Sequence, residues 1–123
     1  MYSPKAAYQS KEEIKLLQEE RLQELVAYLN KYSPFYKELF AEYHIDVADI
    51  KTLDNLKKIP TTTKEDLQQR NNDFLCVDRH KIIEYSSTSG TLGCPVTVGL
   101  TENDLNRLAY NEYSSFTLSL IHI

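Results

Sequence analysis

Residues 86–90, Ser-Ser-Thr-Ser-Gly, put five small hydroxyl-bearing or glycine residues in a row. Two of the three glycines, Gly90 and Gly93, fall here, three positions apart. Short runs that read as strands flank the stretch, residues 81–85 before it and 96–100 after it. Glycine admits positive φ and lets the backbone come close to a ligand. A turn of this kind can aim several N–H groups at one point and so form an anion nest. Serine and threonine add hydroxyl donors around the same point. The residues therefore read either as a phosphate-gripping loop or as a polar hairpin turn, and strand-flanked Ser/Gly turns of the second kind are common.

Better-known motifs do not fit. The Walker loop needs G-x-x-x-x-G-K-[ST], and here Gly90 and Gly93 are too close and neither precedes a lysine. The hydrolase elbow G-x-S-x-G is absent, since neither Ser87 nor Ser89 has a glycine two residues upstream. The dinucleotide fingerprint G-x-G-x-x-G is absent as well.

The order Thr88-Ser89-Gly90-Thr91-x-Gly93-x-Pro95 resembles the phosphate-binding loop of the adenylate-forming superfamily, the AMP-forming acyl-CoA ligases. Residues 85–108 look most like the phenylacetate–CoA ligase family, in which the loop is followed by a short strand and a Thr-x-x-Asp-Leu helix start, here Thr101 to Leu105. The resemblance extends upstream through Ser33-Pro34-Phe35-Tyr36 and the run from Ile59 to Leu67, and covers roughly residues 10–117. Leu92 stands where a second threonine is usual in the family, and Cys94 where a lysine is usual.

The resemblance implies an ATP-dependent ligase. A carboxylic acid attacks the α-phosphate of ATP, giving acyl-adenylate and pyrophosphate, and the thiol of coenzyme A then displaces AMP. It implies that Thr88, Ser89 and Thr91 supply hydroxyls to the β- and γ-phosphates and that Gly90 and Gly93 supply close backbone N–H groups. Mg²⁺ is expected to bridge the phosphates, with no protein ligand identifiable in these residues. No catalytic residue is assigned, because the acid pocket, the ribose-binding acid and the lid lysine of the family are expected beyond residue 117. On this reading residues 1–117 are the opening part of the large adenylation domain, and 123 residues is too short for the enzyme.

Composition narrows the alternatives. Hydrophobic residues are 41% and charged residues 26%, ordinary for a soluble globular domain with a modest core. No apolar window is long enough to span a bilayer, and no basic start precedes an apolar core as in a signal peptide. The net charge is −4 and the basic residues are interleaved with glutamates, which argues against a nucleic-acid surface. Cys76 and Cys94 make neither a metal spacing nor a disulfide framework, and a reducing cytoplasm is the expected setting.

Along the chain, Ser10 and Glu13 form a capping box for a helix to about residue 30, with Leu22, Leu25, Val26 and Leu29 as its apolar face. Ser33-Pro34 ends that helix and starts another, striped by Tyr36, Leu39, Phe40 and Tyr43 and closed by His44, read as a charge partner for the helix end. Residues 46–49 read as a turn and 53–59 as a short helix ended by Pro60. Two overlapping capping boxes, Thr62 with Glu65 and Thr63 with Asp66, introduce a helix to about Arg70. A turn at 71–73 and an extended piece at 74–77 follow, and His80 in its polar turn reads as solvated. The last predicted helix covers residues 103–116, with Leu105, Leu108, Ala109 and Phe116 as its buried face.

The expected fold is α+β: N-terminal helices, a β-hairpin carrying the Ser/Thr/Gly loop, and a helix, together a fragment of a larger α/β domain. Residues 118–123 resemble the translation of a transposase-end adapter used in DNA sequencing libraries and are expected to be foreign to that domain; the competing reading is a β-strand tail. Against the ligase reading stands a non-catalytic helical module that binds a partner protein through its aromatic stripe.

Overall fold

The structure is a computed structural model that describes residues 9–89 and 93–121, with residues 120 and 121 described by backbone alone. Helix α1 (Lys11–Tyr32) begins at the expected box: Glu13 N–H donates to Ser10 Oγ at 3.2 Å and Ser10 N–H donates to Glu13 Oε2 at 2.9 Å. Of its apolar face only Leu22 and Val26 are buried. They meet Ile50, which is fully enclosed, and Ile45, Val47, Leu53 and Ile59 close around them. Each such side chain contributes roughly 1.5–3 kcal/mol on leaving water. Leu25 remains exposed, so the buried stripe is narrower than the sequence pattern.

Ser33 is the C-cap of α1 and the N-cap of α2 (Pro34–Glu42), and Pro34 pre-sets φ at the first helical position. His44 closes α2 through its backbone. Its φ is +53°, its N–H donates to Ala41 O at 3.2 Å, and Ile45 N–H donates to Phe40 O at 2.8 Å. This pair of bonds is the Schellman closure, made with histidine where glycine is usual. It sends Ile45 against the core cluster of Leu22, Val26 and Ile50.

The connection runs through two 3₁₀ turns, Val47–Asp49 and Leu53–Lys58, the second in place of the expected short α-helix. Helix α3 (Lys64–Gln69) has one N-cap, Thr63, whose box with Asp66 forms; the overlapping Thr62–Glu65 box does not, because the helix starts at Lys64 and only the residue directly before it can cap. The 3₁₀ turn Asn71–Phe74 follows, and no strand forms over 74–77.

Strands β1 (Ile82–Ser87) and β2 (Thr97–Thr101) pair antiparallel, with Ser86 opposite Val98 and Ser87 opposite Thr97. The first strand therefore absorbs two serines expected in the loop. A bulge at Ile83 shifts the register. It lays Ile82 over Gly99, where an added Cβ would stand 2.7 Å from Ile82 Cδ1.

Helix α4 (Glu102–Ile121) starts at the Thr101–Asp104 box, in which Thr101 N–H donates to Asp104 Oδ2 at 2.9 Å and Asp104 N–H donates to Thr101 Oγ1 at 3.3 Å. It runs on through Leu118–Ile121, so those residues form no strand. The expected buried face of this helix is corrected: Leu105 is half-buried, whereas Leu108, Ala109 and Phe116 are exposed, Phe116 at 68%. Its pattern is amphipathic, and within the described residues its main packing is against β2. No described helix is long and apolar enough to cross a membrane.

Candidate functional site

The loop between β1 and β2 is closed at its base by Thr88 and Val96. Thr88 N–H donates to Val96 O at 3.0 Å, and Val96 N–H donates to Thr88 Oγ1, also at 3.0 Å. The Thr88 hydroxyl thus spends an acceptor site on the loop and keeps its own proton for another partner. Just below, Ser87 Oγ and Thr97 Oγ1 share a hydrogen bond of 2.9 Å across the strands. Ser89 is exposed at the end of the first limb. Gly90 and Thr91 lie outside the described residues, as does Leu92.

Gly93 opens the second limb with φ +126°, a value that a side chain strains and glycine takes freely. Cys94 and Pro95 are exposed, and Val96 turns inward to 7% exposure. Two side-chain amides hold this limb from outside. Gln68 Nε2, on α3, donates to Cys94 O at 2.8 Å. Asn71 uses both ends of its amide on Thr97: Nδ2 donates to Thr97 O and Oδ1 accepts from Thr97 N–H, each at 2.9 Å. An amide presents the same donor–acceptor fork as a peptide group, so Asn71 stands in for one residue of a neighbouring strand at the outer edge of β2.

The segment that carries these amides is itself anchored on α2. Ser33, 1% exposed, accepts from Tyr36 N–H and donates to Asp73 O at 2.9 Å. Arg70 pairs with Glu38 at 2.7 Å and Asp73 at 2.8 Å and lies over the Phe35 ring, and Phe74 stacks on Phe35. These hydrogen bonds, largest first the one to Glu38, hold the guanidinium even more firmly protonated than usual. Gln68 and Asn71 were not singled out from the sequence. Both bonds join groups 26 residues apart, and Asn71 lies in a run whose composition reads only as a turn.

A groove of about 980 Å³ lies beside the hairpin, lined by Tyr28, Phe74, Cys76, Val96, Val98 and Asp104 among others. Burial pushes the Cys76 thiol up, against a smaller opposite pull from Ser33. Burial also works to raise the Asp104 carboxyl, but Thr101 and Arg107 outweigh it and hold the group below the usual carboxylate range. Among the described residues no three His, Cys, Asp or Glu side chains gather as a metal site.

No protein-family model matches the chain. Over 110 residues, 89% of its length, it is 38% identical to the phenylacetate-coenzyme A ligase of Thermus thermophilus. The chain is homologous to phenylacetate-coenzyme A ligases. It is 32% identical to the ligase of that name from Escherichia coli over 101 residues, 81% of its length. The chain spans about a quarter of the length of those relatives, 25% of the first and 23% of the second. A crystal structure of 2-hydroxyisobutyryl-CoA ligase in complex with 2-HIB-AMP and CoA superposes on 84% of the segment with a TM-score of 0.71 at 26% identity, and the segment covers 25% of that chain. The mixed architecture, helices with a two-stranded antiparallel sheet, is therefore that of part of an acyl-CoA ligase fold.

Proposed function

We propose that the chain is the phosphate-loop segment of an AMP-forming acid–CoA ligase, which activates an aryl or acyl carboxylic acid as its adenylate and passes it to coenzyme A. The observation that carries this reading is the 38% identity to a phenylacetate-coenzyme A ligase across 110 residues that include most of the chain. The loop geometry supports it: a tip hung from two strands, closed by Thr88 and Val96, with Gly93 at positive φ. Residues 1–117 would belong to the adenylation domain, residues 118–123 would be foreign to it, and the cytoplasm would be its setting.

In the first step the acid's carboxylate oxygen bonds to the α-phosphorus of ATP, and the bond from that phosphorus to the bridging oxygen breaks, releasing pyrophosphate. The second step forms the thioester as the thiol sulfur of coenzyme A displaces AMP. Chemistry of this type depends on positioning and charge stabilisation more than on covalent work by the protein. Thr88, Ser89 and Thr91 would donate hydroxyls, and Gly90 and Gly93 backbone N–H groups, to the β- and γ-phosphates, keeping the departing pyrophosphate in line. Mg²⁺ would supply further charge compensation at the phosphates. The exposed apolar side chains of α4 and the hairpin fit the same reading, since a segment matching a quarter of a relative's length leaves faces for the remainder to cover.

Ser89→Ala and Thr91→Ala in the full-length ligase test the assignment. Each removes one hydrogen bond to a charged group, a cost of roughly 1.5–3 kcal/mol, and so should slow ATP–pyrophosphate exchange about 10- to 150-fold. Unchanged exchange in both variants overturns the role given to the loop.

A further inference from the structure

We propose that Gln68 and Asn71 are positioning residues for the nucleotide: they hold the second limb of the loop in its phosphate-receiving shape before ATP arrives. The inference rests on the phosphate-loop reading above and adds to it two residues outside the loop.

Three features carry it. The first is place. Gln68 grips the carbonyl of Cys94, next to the positive-φ residue Gly93, and Asn71 grips both backbone groups of Thr97, where the limb becomes strand. Between them they fix both ends of residues 94–97. The second is independence from the hairpin's own ladder. Thr88 closes the loop from β1, whereas both amides reach it from the α3 side and tie the second limb to a different part of the fold. The third is the rigidity of what stands behind them. The segment after α3 is held by the buried Ser33 hydroxyl, by Arg70 between Glu38 and Asp73, and by the Phe35–Phe74 stack. A clamp positions a loop only if its own base is fixed, and this base is.

The chemistry follows from ordering entropy. A glycine- and serine-rich loop samples many conformations, and gathering its N–H groups on a phosphate costs binding free energy unless the gathering is done in advance. The two amides do part of it without touching the nucleotide. Their loss should therefore weaken ATP and pyrophosphate, while the acid, which meets other parts of the enzyme, keeps its affinity.

The test uses isosteric variants of the full-length ligase, so that packing is conserved. Gln68→Glu puts a carboxylate against the Cys94 carbonyl, and Asn71→Asp does the same to the Thr97 carbonyl. Measured at about 1 M salt, where the added charge is screened beyond about 3 Å, each should raise KM for ATP about 3- to 10-fold, the range of one neutral hydrogen bond, with KM for the acid unchanged. Gln68→Lys keeps an N–H donor and, at the same high salt, should show most of the parent's KM for ATP. Ser89→Ala, measured in parallel, separates the two readings. If Ser89→Ala raises KM for ATP and both isosteric variants leave it at the parent value, the positioning role falls and the loop keeps its function. If all three leave it unchanged, both readings fall. Equal losses in every kinetic constant with no recovery in Gln68→Lys mean a merely structural contact and also overturn the proposal.

Discussion

The rings of Phe35 and Phe74 stack with centroids 4.1 Å apart and planes inclined by 22°. Tyr36 meets the same Phe74 ring edge-on at 5.8 Å, and the Arg70 guanidinium covers Phe35 from another side at 5.2 Å. This joint ties α2 to the segment from which Gln68 and Asn71 reach the loop. Truncating Phe35, which is buried, should cost about 3–5 kcal/mol. A small domain has only about 5–15 kcal/mol in all, and this chain leaves Leu16, Ile83, Tyr85, Phe116 and other large apolar side chains in water. The 123-residue chain should unfold over a broad range or aggregate on heating, and Phe35→Ala should lose its far-UV helical signal at room temperature. A sharp, high-temperature transition in the parent chain would contradict the view that its faces await the rest of a domain.

His44→Gly should stabilise the chain. The position has φ +53°, where an L side chain is held at a cost of roughly 1 kcal/mol that glycine does not bear. The expected gain is about 0.5–1 kcal/mol, read as a higher urea midpoint with unchanged slope. A lower midpoint would show that the imidazole makes a stabilising contribution larger than the strain.

Acid should loosen the starts of α3 and α4 together. Backbone and side-chain hydrogen bonds from Thr63 hold the Asp66 carboxyl below its ordinary value of 3.8, and Asp104 is held below the same value by Thr101 and Arg107 against the effect of burial. A depressed folded-state value means that the native state favours the ionised form. The stabilisation is full above the unfolded value and disappears as pH falls through the lower folded values. The urea midpoint of the parent should therefore drop as the pH is taken from about 5 to about 2.5. In the double variant Asp66→Asn, Asp104→Asn it should drop less, because asparagine keeps an acceptor but does not titrate. Parallel curves for the two proteins would remove these carboxyls from the explanation.

On the proposed phosphate role of the loop, Cys94→Lys should strengthen nucleotide binding in the full-length protein. Residue 94 is exposed on the second limb of the loop, and its carbonyl rather than its side chain is committed to Gln68. A cation there would face the phosphates and lower KM for ATP at low salt. The gain should fade as salt rises, since an exposed charge is screened over about 8–10 Å at physiological ionic strength. Equal KM values for parent and variant at every salt concentration would mean that the side chain points away from the nucleotide.

What the sequence determined by itself is everything that depends on near neighbours. Ser10–Glu13, Ser33-Pro34 and Thr63–Asp66 start helices where their spacing says, because a cap is a hydrogen bond across three residues. The hairpin and its turn were legible for the same reason: polar, glycine-bearing residues between two strand-forming runs leave the backbone few other choices. The order Thr88-Ser89-Gly90-Thr91-x-Gly93 carried the resemblance to ligases that the 38% identity then bore out. Only the tertiary structure decided the rest. It chose Thr63 over Thr62, placed Ser86 and Ser87 in β1, and left Leu108 and Phe116 of α4 in water. Periodicity reports that a helix has an apolar face, and burial needs a second surface, which among the described residues does not reach Leu108 and Phe116. The amides of Gln68 and Asn71 are the clearest case. Their partners are 26 residues away, and no local rule gives a glutamine or an asparagine its distant backbone carbonyl; that pairing exists only because α2, through Ser33 and Phe35, brings α3 and its following turn against the loop.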